Sequence, residues 1–143
     1  MLFIAFSGEE AGILGSKYFA DHPTFPLKNI RFLINLDMVG TGSEGITAVN
    51  ATVFKKEFAA LQNINSEKGY LTKIKSRGEA CNSDHCPLYQ KGVPCFFIYT
   101  MGEEYTEYHN IYDLGTKIPL TEYSDLFRLL VDFNDTLQNT QIP

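Results

Sequence analysis

The chain has 143 residues, of which 44% are apolar, 20% are charged and 13% are aromatic. This composition excludes a disordered tail, a collagen-like chain and a coiled coil, and the length predicts one domain, over residues 1–143. The formal net charge of -5 argues against nucleic acid or an anionic membrane surface as a partner. Because no run approaches about 20 uninterrupted apolar residues, the sequence predicts no membrane span.

Strand patterns alternate with helix patterns along the chain. Short apolar or alternating runs bounded by turn residues predict strands at 2–6, 30–38, 46–49, 70–75 and 94–99. Apolar residues at helical spacing predict helices at 9–21, 52–66, 84–91 and 121–137. The polar stretch at 101–119 predicts a long loop. This alternation predicts an α/β layered fold with a mostly parallel sheet.

The first and last predicted elements carry specific expectations. Residues 2–6 have no basic leader and no small-residue cleavage site, so they predict a buried strand rather than a signal peptide. Since a buried strand rarely opens a domain, we expect the chain to be a truncated part of something longer. The last helix is expected to turn these residues inward: Tyr123, Leu126, Phe127, Leu130, Val131 and Phe133.

Charged side chains and a histidine follow several predicted strands. Glu9 and Glu10 come after the first strand, and Asp37 ends the second. His109 lies in the long loop after the last strand. Because chemistry in open α/β sheets lies at the carboxyl ends of strands, we expect these side chains to converge. Carboxylate oxygen and imidazole nitrogen together suit a divalent metal of the zinc type.

Each of these residues also has a structural explanation. The Ser-Gly-Glu-Glu segment that ends at Glu10 fits a capping box before an apolar helix. His109 is also compatible with an ordinary loop histidine, and Asp84 with His85 fits a helix cap and first turn. Asp37 is the hardest to explain in this way, because a carboxylate within an apolar stretch is costly unless it is paired or metal-bound.

Four sequence blocks follow one another in a distinctive order. They are Phe6 to Ser16, Asn35 to Gly40, Ser83-Asp84-His85 with Gly92-Val93-Pro94, and Tyr108-His109 with Tyr112-Asp113. Their content and order resemble the zinc aminopeptidases of metallopeptidase family 28, whose relatives include glutaminyl cyclases. The resemblance covers nearly the whole chain but only the C-terminal part of the family's catalytic domain. It implies an α/β fold of three layers, with a mixed, mostly parallel sheet between helices that lacks the family's N-terminal strands.

The resemblance implies a role for each acid of the first block and for its partners. Glu9 matches the general base, which takes a proton from the attacking water and later delivers it to the leaving amine. Glu10 and His109 match ligands of one metal ion, and Asp37 matches a ligand of the other. The complete family site holds two zinc ions bridged by a water or hydroxide.

Two further carboxylates match supporting positions of the family. Asp84, in the Ser-Asp-His block, and Asp113, shortly after His109, match residues that orient ligands or lie at the edge of the substrate. Both assignments rest on the resemblance alone.

The sequence departs from the family pattern at its beginning. The family needs a His-x-Asp segment and a carboxylate that bridges both metal ions, and both would precede Glu9. His22 is no substitute, since it follows the acid pair. We therefore expect one zinc ion bound weakly, or none, and little peptidase activity. Since the early strands are absent too, the strand at 2–6 would leave an edge through which the chain could form a homodimer or swap.

Three functions remain open on the sequence. The first is a metal-dependent exopeptidase that hydrolyses N-terminal peptide bonds of a peptide substrate. The second is a glutaminyl cyclase-like zinc acyltransferase with Glu9 as its acid, and the third is a non-catalytic interaction module. The residues leave the cellular location unknown, although the resemblance favours a periplasmic or extracellular protein. The spacing of Cys81 and Cys86 permits a disulfide without requiring one.

Overall fold

A mixed sheet forms the centre of the fold in a computed structural model that describes residues 1–139. Within that range its strands are β1 (Leu33–Leu36), β2 (Ile46–Val49), β3 (Ile74–Ser76) and β4 (Cys95–Thr100), in the spatial order β1-β4-β2-β3. β1 pairs with β4 and β2 with β3 in parallel, whereas β2 and β4 are antiparallel. The predicted mixed, mostly parallel sheet is confirmed.

Helices cover both faces of this sheet. They are α1 (Leu14–Asp21), α2 (Lys55–Lys68), α3 (His85–Gln90) and α4 (Tyr123–Asn139), with a single 3-10 turn at Leu27–Asn29. α2 and α4 pack together on one face, and α1 and α3 on the other, so the three-layer arrangement is confirmed. No helix within residues 1–139 has both the length and the apolar content needed to cross a bilayer.

The larger core lies between the sheet and the α2–α4 layer. Phe96 of β4 and Phe133 of α4 are both fully buried, with ring centroids 6.2 Å apart. Alternate residues of β4 face opposite layers, so Phe96 and Ile98 enter this core while Phe97 packs against His85 of α3. Burial of large apolar side chains here, at about 1.5–3 kcal/mol each, holds the sheet in position.

The segment 2–6 does not form the predicted strand. The side chains of Met1, Leu2 and Phe3 are exposed, and Phe3 retains 85% of its accessible surface. A strand needs a ladder of hydrogen bonds with a neighbour, and the four strands within residues 1–139 pair only with one another. Phe6 nevertheless packs on Phe19 of α1, with 5.9 Å between ring centroids. A homodimer through this segment stays a prediction.

The first helix begins later than predicted, and its proposed capping box is wrong. A turn over residues 9–12 precedes α1, and the residue before the helix is Ile13, in the left-handed region at φ 52°. No side chain caps the first turn of α1. The serine and glutamate of the Ser-Gly-Glu-Glu segment are therefore too far upstream to cap it.

Two predicted strands and one helix face are also revised. The strand at 30–38 shortens to β1 because the 3-10 turn precedes it and Met38 takes a left-handed φ of 58°. The strand at 70–75 becomes β3. Of the α4 residues predicted to face inward, three are exposed: Tyr123 at 50%, Phe127 at 60% and Val131 at 40%. The buried stripe instead contains Leu126, Leu129, Phe133 and Leu137.

Candidate active site

The parallel pairing of β1 and β4 builds the edge at which the predicted residues meet. Leu36 is in register with Ile98, so the two strands end side by side. Asp37 follows β1 directly, and the loop over residues 101–122 follows β4. The carboxyl ends of both strands thus feed one edge of the sheet, as the sequence predicted.

The turn before α1 presents Glu9 and Glu10. The main-chain oxygen of Glu9 accepts hydrogen bonds from the N–H groups of Gly12, at 2.9 Å, and Ile13, at 2.8 Å. A Cβ atom at Gly15 would lie 2.6 Å from the main-chain oxygen of Ser7, so only glycine lets this segment pack so closely on α1. The turn is consequently fixed to the beginning of the helix.

Glu10 and His109 are in direct contact although they lie far apart in the sequence. The imidazole Nε2–H of His109 donates to Oε1 of Glu10 at 2.9 Å. The ring of Tyr108 stacks on His109, with centroids 3.8 Å apart, and the His109 backbone is left-handed at φ 58°. Both side chains of the pair are largely exposed, at 55% for His109 and 79% for Glu10. A contact between side chains this exposed stabilises the fold little.

Asp37 is held from behind by a buried hydroxyl group. The Oγ–H of Ser83 donates to Oδ2 of Asp37 at 2.9 Å, and the same Oγ accepts a hydrogen bond from Nδ2 of Asn35 at 2.8 Å. Ser83 is 1% exposed. This chain of bonds fixes one carboxylate oxygen of Asp37 and leaves the other for a cation or for water.

Negative charge surrounds the predicted general base. Partial burial raises the pKa of Glu9 above its ordinary value, and the charges of Asp37, Glu10 and Asp84 raise it further, while His109 opposes the shift. Four carboxylates are therefore close enough to repel one another. Such a cluster favours either retained protons or a bound cation.

Asp84 and His85 form a buried pair beneath this edge. Asp84 is 9% exposed and His85 fully buried, and neither Asp84 Oδ1 nor His85 Nδ1 has a hydrogen-bond partner within the described residues. The Nε2–H of His85 donates to the oxygen of Ala80 at 2.8 Å. Burial lowers the pKa of His85, against the effects of the Ala80 oxygen and the Asp84 charge. Asp84 occupies the cap position of α3 and His85 its first turn, as the sequence allowed, but Asp84 makes no side-chain capping bond.

A disulfide encloses the Ser-Asp-His block. Cys81 and Cys86 are bonded, and their Cα atoms are 4.8 Å apart, so the pairing that the spacing permitted is present. The closed loop contains Ser83, the residue that holds Asp37. The covalent link restricts the segment from which that hydroxyl group projects.

Asp113 has a partner within its own loop. The hydroxyl group of Tyr105 donates to Oδ1 of Asp113 at 2.7 Å. Asp113 therefore helps to shape the segment that carries His109, which lies between these two residues. Its role as an orienting residue or a substrate contact stays a prediction.

The donor set fits part of a zinc site. Glu10 and His109 offer a carboxylate and an imidazole side by side, which are zinc ligands by chemistry. Over residues 1–139, however, no three His, Cys, Asp or Glu side chains are grouped closely enough to hold a metal ion. The assignment of Glu10, Asp37 and His109 as metal ligands stays a prediction; Asp37 is bonded to Ser83, and Glu10 to His109.

Sequence reasoning did not assign roles to Ser83 and Asn35. Asn35 and Asp37 are two positions apart, so on a strand they lie on the same side. Two polar side chains on one side of an apolar run require a polar partner. That pattern could have predicted a hydroxyl or amide group nearby, although it could not have identified Ser83, which is 46 residues away from Asp37.

Sequence comparisons match the chain to one peptidase family. The model of peptidase family M28 matches residues 1–133. Aminopeptidase YwaD from Bacillus subtilis is 32% identical over 100 residues, which cover 64% of this chain and 21% of that protein. Leupeptin-inactivating enzyme 1 from Streptomyces exfoliatus is 30% identical over 105 residues, covering 69% of this chain and 22% of the enzyme. The chain thus spans about a fifth of these relatives.

Solved structures share the fold. BSAP, a zinc aminopeptidase from Bacillus subtilis, superposes with a TM-score of 0.71 and 26% identity. The match covers 89% of this chain and 34% of the BSAP chain. The glutaminyl cyclase from Porphyromonas gingivalis superposes with a TM-score of 0.72 over 94% of this chain and 50% of its own. At 19% identity, the cyclase supports the fold alone.

Proposed function

The chain belongs to peptidase family M28, and from this premise we propose that it acts as a zinc-dependent aminopeptidase domain that hydrolyses N-terminal peptide bonds. The 32% identity to an aminopeptidase of Bacillus subtilis supports this function. The similarity to a zinc aminopeptidase structure supports zinc as the metal.

One observation carries the proposal: Glu10 contacts His109 while Glu9 lies beside them with a raised pKa. Adjacent acids on a turn point in different directions, so one can bind a cation while the other stays free. A carboxylate with a raised pKa is a stronger base once ionised, which suits proton transfer near neutral pH. Glu10 and His109 are therefore suited to metal binding, and Glu9 is suited to proton transfer.

The proposed roles follow from this division. Glu10 and His109 would hold zinc, and Asp37 would supply a further carboxylate oxygen. When bound, zinc supplies Lewis acidity that acidifies water and polarises the scissile carbonyl group. Glu9 accepts the proton of the attacking water and then gives it to the leaving amine. Ser83 keeps Asp37 oriented, because its hydroxyl group occupies one carboxylate oxygen.

A second candidate is acyl transfer of the glutaminyl cyclase type. It would use a single zinc ion and an acid, which Glu9 could provide, and Glu10 and His109 are two donors in contact that could share such an ion. The fold is shared with a glutaminyl cyclase, so the scaffold does not separate the two reactions. Hydrolysis is favoured because this chain is 32% identical to an aminopeptidase over 100 residues, whereas its identity to the glutaminyl cyclase is 19%.

Matched substitutions at the adjacent acids test the proposal. Glu9→Gln should retain zinc binding by calorimetry but lose about 10²–10⁴-fold of the hydrolysis of a leucine anilide, since it removes only the base. Glu10→Gln should lose zinc binding and activity together, since it removes a ligand. We expect the activity of the unmodified chain to be low and to disappear with a chelator.

Three outcomes would contradict the proposal. Equal zinc binding in Glu9→Gln and Glu10→Gln would remove the division of roles. Cyclisation of a glutamine-initiated peptide without anilide hydrolysis would favour the acyltransferase. Absence of zinc binding, with no rise in melting temperature on adding zinc, would favour a non-catalytic interaction module.

A further inference from the structure

We infer that Glu104 is a positioning residue, which fastens the loop that carries His109 to the loop that follows Asp37. The inference rests on the proposed function in one respect, namely that His109 binds the metal. The contact between the two loops is independent of that function. It concerns residues 38–45, between β1 and β2, and residues 101–122, between β4 and α4.

Main-chain hydrogen bonds join the two loops at both ends. Near the sheet, the N–H of Glu44 donates to the oxygen of Met101 at 3.0 Å. At the far end, the N–H of Leu120 donates to the oxygen of Gly40 at 2.9 Å. The loop over residues 101–122 therefore lies beside the loop over residues 38–45 where it leaves β4, and again just before α4.

Glycines allow the loops to approach each other closely. A Cβ atom at Gly42 would meet the Cβ of Glu122 at 2.5 Å, and one at Gly40 would collide with Ile118. A Cβ atom at Gly102 would collide with the carboxylate of Glu104. Side chains at these positions would separate the loops, so the contact depends on the absence of side chains.

Glu104 supplies the side-chain bond between the loops. Its Oε1 accepts from the N–H of Ser43 at 3.0 Å, and its Oε2 accepts from the Ser43 hydroxyl group at 2.6 Å. Burial raises the pKa of Glu104, but hydrogen bonds from the Ser43 side chain and from main-chain N–H groups lower it more strongly, to about 2. The carboxylate is therefore charged and doubly bonded throughout the neutral range.

Besides the contact of His109 with Glu10, the described bonds around His109 are short-range. Tyr105 bonds to Asp113, and Asn110 Nδ2 donates to Glu107 at 2.9 Å. These bonds shape the segment but do not attach it to the sheet. Glu104 lies five positions before His109, so its attachment to Ser43 sets where the segment begins. Loss of that attachment should allow His109 to move away from Glu10.

A matched pair of neighbouring acids tests the inference. Glu104→Ala removes both acceptor oxygens, and Glu103→Ala removes an adjacent exposed carboxylate as the control. Glu104→Gln keeps one acceptor and should restore part of the effect. The readouts are hydrogen–deuterium exchange of residues 105–113, the ¹⁵N shifts of the His109 ring, melting temperature, and calorimetry with zinc alone.

In Glu104→Ala, exchange in residues 105–113 should rise about two- to tenfold while that of β4 and α4 is unchanged. The His109 ring shifts should move towards those of free imidazole, and zinc affinity should fall about tenfold. Glu104→Gln should lie between this variant and the unmodified chain, and Glu103→Ala should match the unmodified chain.

Other outcomes separate this inference from the proposed function. Equal exchange in Glu104→Ala and Glu103→Ala would overturn the inference, as would faster exchange throughout the fold or unchanged His109 ring shifts. Unchanged zinc affinity in Glu104→Ala would overturn the positioning role. If the unmodified chain binds no zinc, the proposed function fails, while exchange and the ring shifts still decide the role of Glu104.

Discussion

The two sides of the candidate site are built differently. On one side, Asp37 follows a strand of the central sheet and is bonded to Ser83, which is 1% exposed and enclosed by a disulfide loop. On the other side, Glu10 and His109 project from a turn and a loop, with side chains 79% and 55% exposed. The chemistry of both sides is that of metal ligands, but only one side is supported by a core.

This difference shows where the fold alone can hold a ligand in position. Asp37 is fixed because Ser83 would lose a buried hydrogen bond if the carboxylate moved. The Glu10–His109 contact is an exposed hydrogen bond, so it depends on the loops that present the two side chains. We therefore expect the two sides to respond differently to substitution, to local unfolding and to acid.

The largest expected effect concerns the larger core, which holds the sheet from which Asp37 projects. Leu129 of α4 is fully buried, whereas Phe127 on the same helix is 60% exposed. Leu129→Ala should lower the free energy of unfolding by about 2–5 kcal/mol, because it leaves a cavity in the larger core. Phe127→Ala should change it by about 0.5 kcal/mol or less. Urea denaturation of both variants measures the difference, and equal losses would refute the revised inward face of α4.

This helix also shows how far sequence patterns go. Helical periodicity located α4 correctly and identified Leu126 and Phe133 as buried. It assigned Phe127 and Val131 to the same face because apolar residues occupy more than one side of the helix, so the pattern alone did not define a single stripe. Packing against the sheet determines which side of α4 is buried, and the periodicity of the helix alone does not predict that packing.

The candidate site shows the same limit. The sequence predicted the contact between Glu10 and His109, which follows from the order of strands and the resemblance to the family. The strand at 2–6 was wrong, since apolar composition predicts a strand only when a neighbour is available to pair with it. The attachment of Asp37 to Ser83 depends on a contact between distant segments, which no local pattern encodes.

A smaller effect tests the attachment of Asp37 itself. Ser83→Ala should lower the free energy of unfolding by about 1–3 kcal/mol, because Asn35 and Asp37 each lose a buried or half-buried partner. Ser66→Ala, on the exposed side of α2, is the matched control and should have little effect. Chemical denaturation measures both changes. Equal stability of the two variants would mean that the hydroxyl group of Ser83 does not secure Asp37.

The smallest effect is the loss of the Glu104 contact at acid pH, on the side of the site that carries Glu10 and His109. The folded-state pKa of Glu104 is depressed to about 2, so its hydrogen bonds stabilise the loop contact fully above the unfolded-state pKa. That contribution is lost as the pH falls through the folded-state value. Carboxyl ¹³C titration should therefore find Glu104 ionised at about pH 3, where an ordinary glutamate is already largely protonated.

Exchange of residues 105–113 should follow the same titration. The protection that Glu104 gives this segment should persist to about pH 3 and disappear nearer pH 2, once intrinsic exchange rates are corrected for pH. In Glu104→Gln the protection should be weaker and independent of pH over this range, because the amide does not titrate. A Glu104 carboxyl group that titrates at the ordinary pKa of a glutamate would mean that Ser43 does not hold it. The exposed side of the site would then depend on the contact between Glu10 and His109 and on the main-chain bonds between the loops.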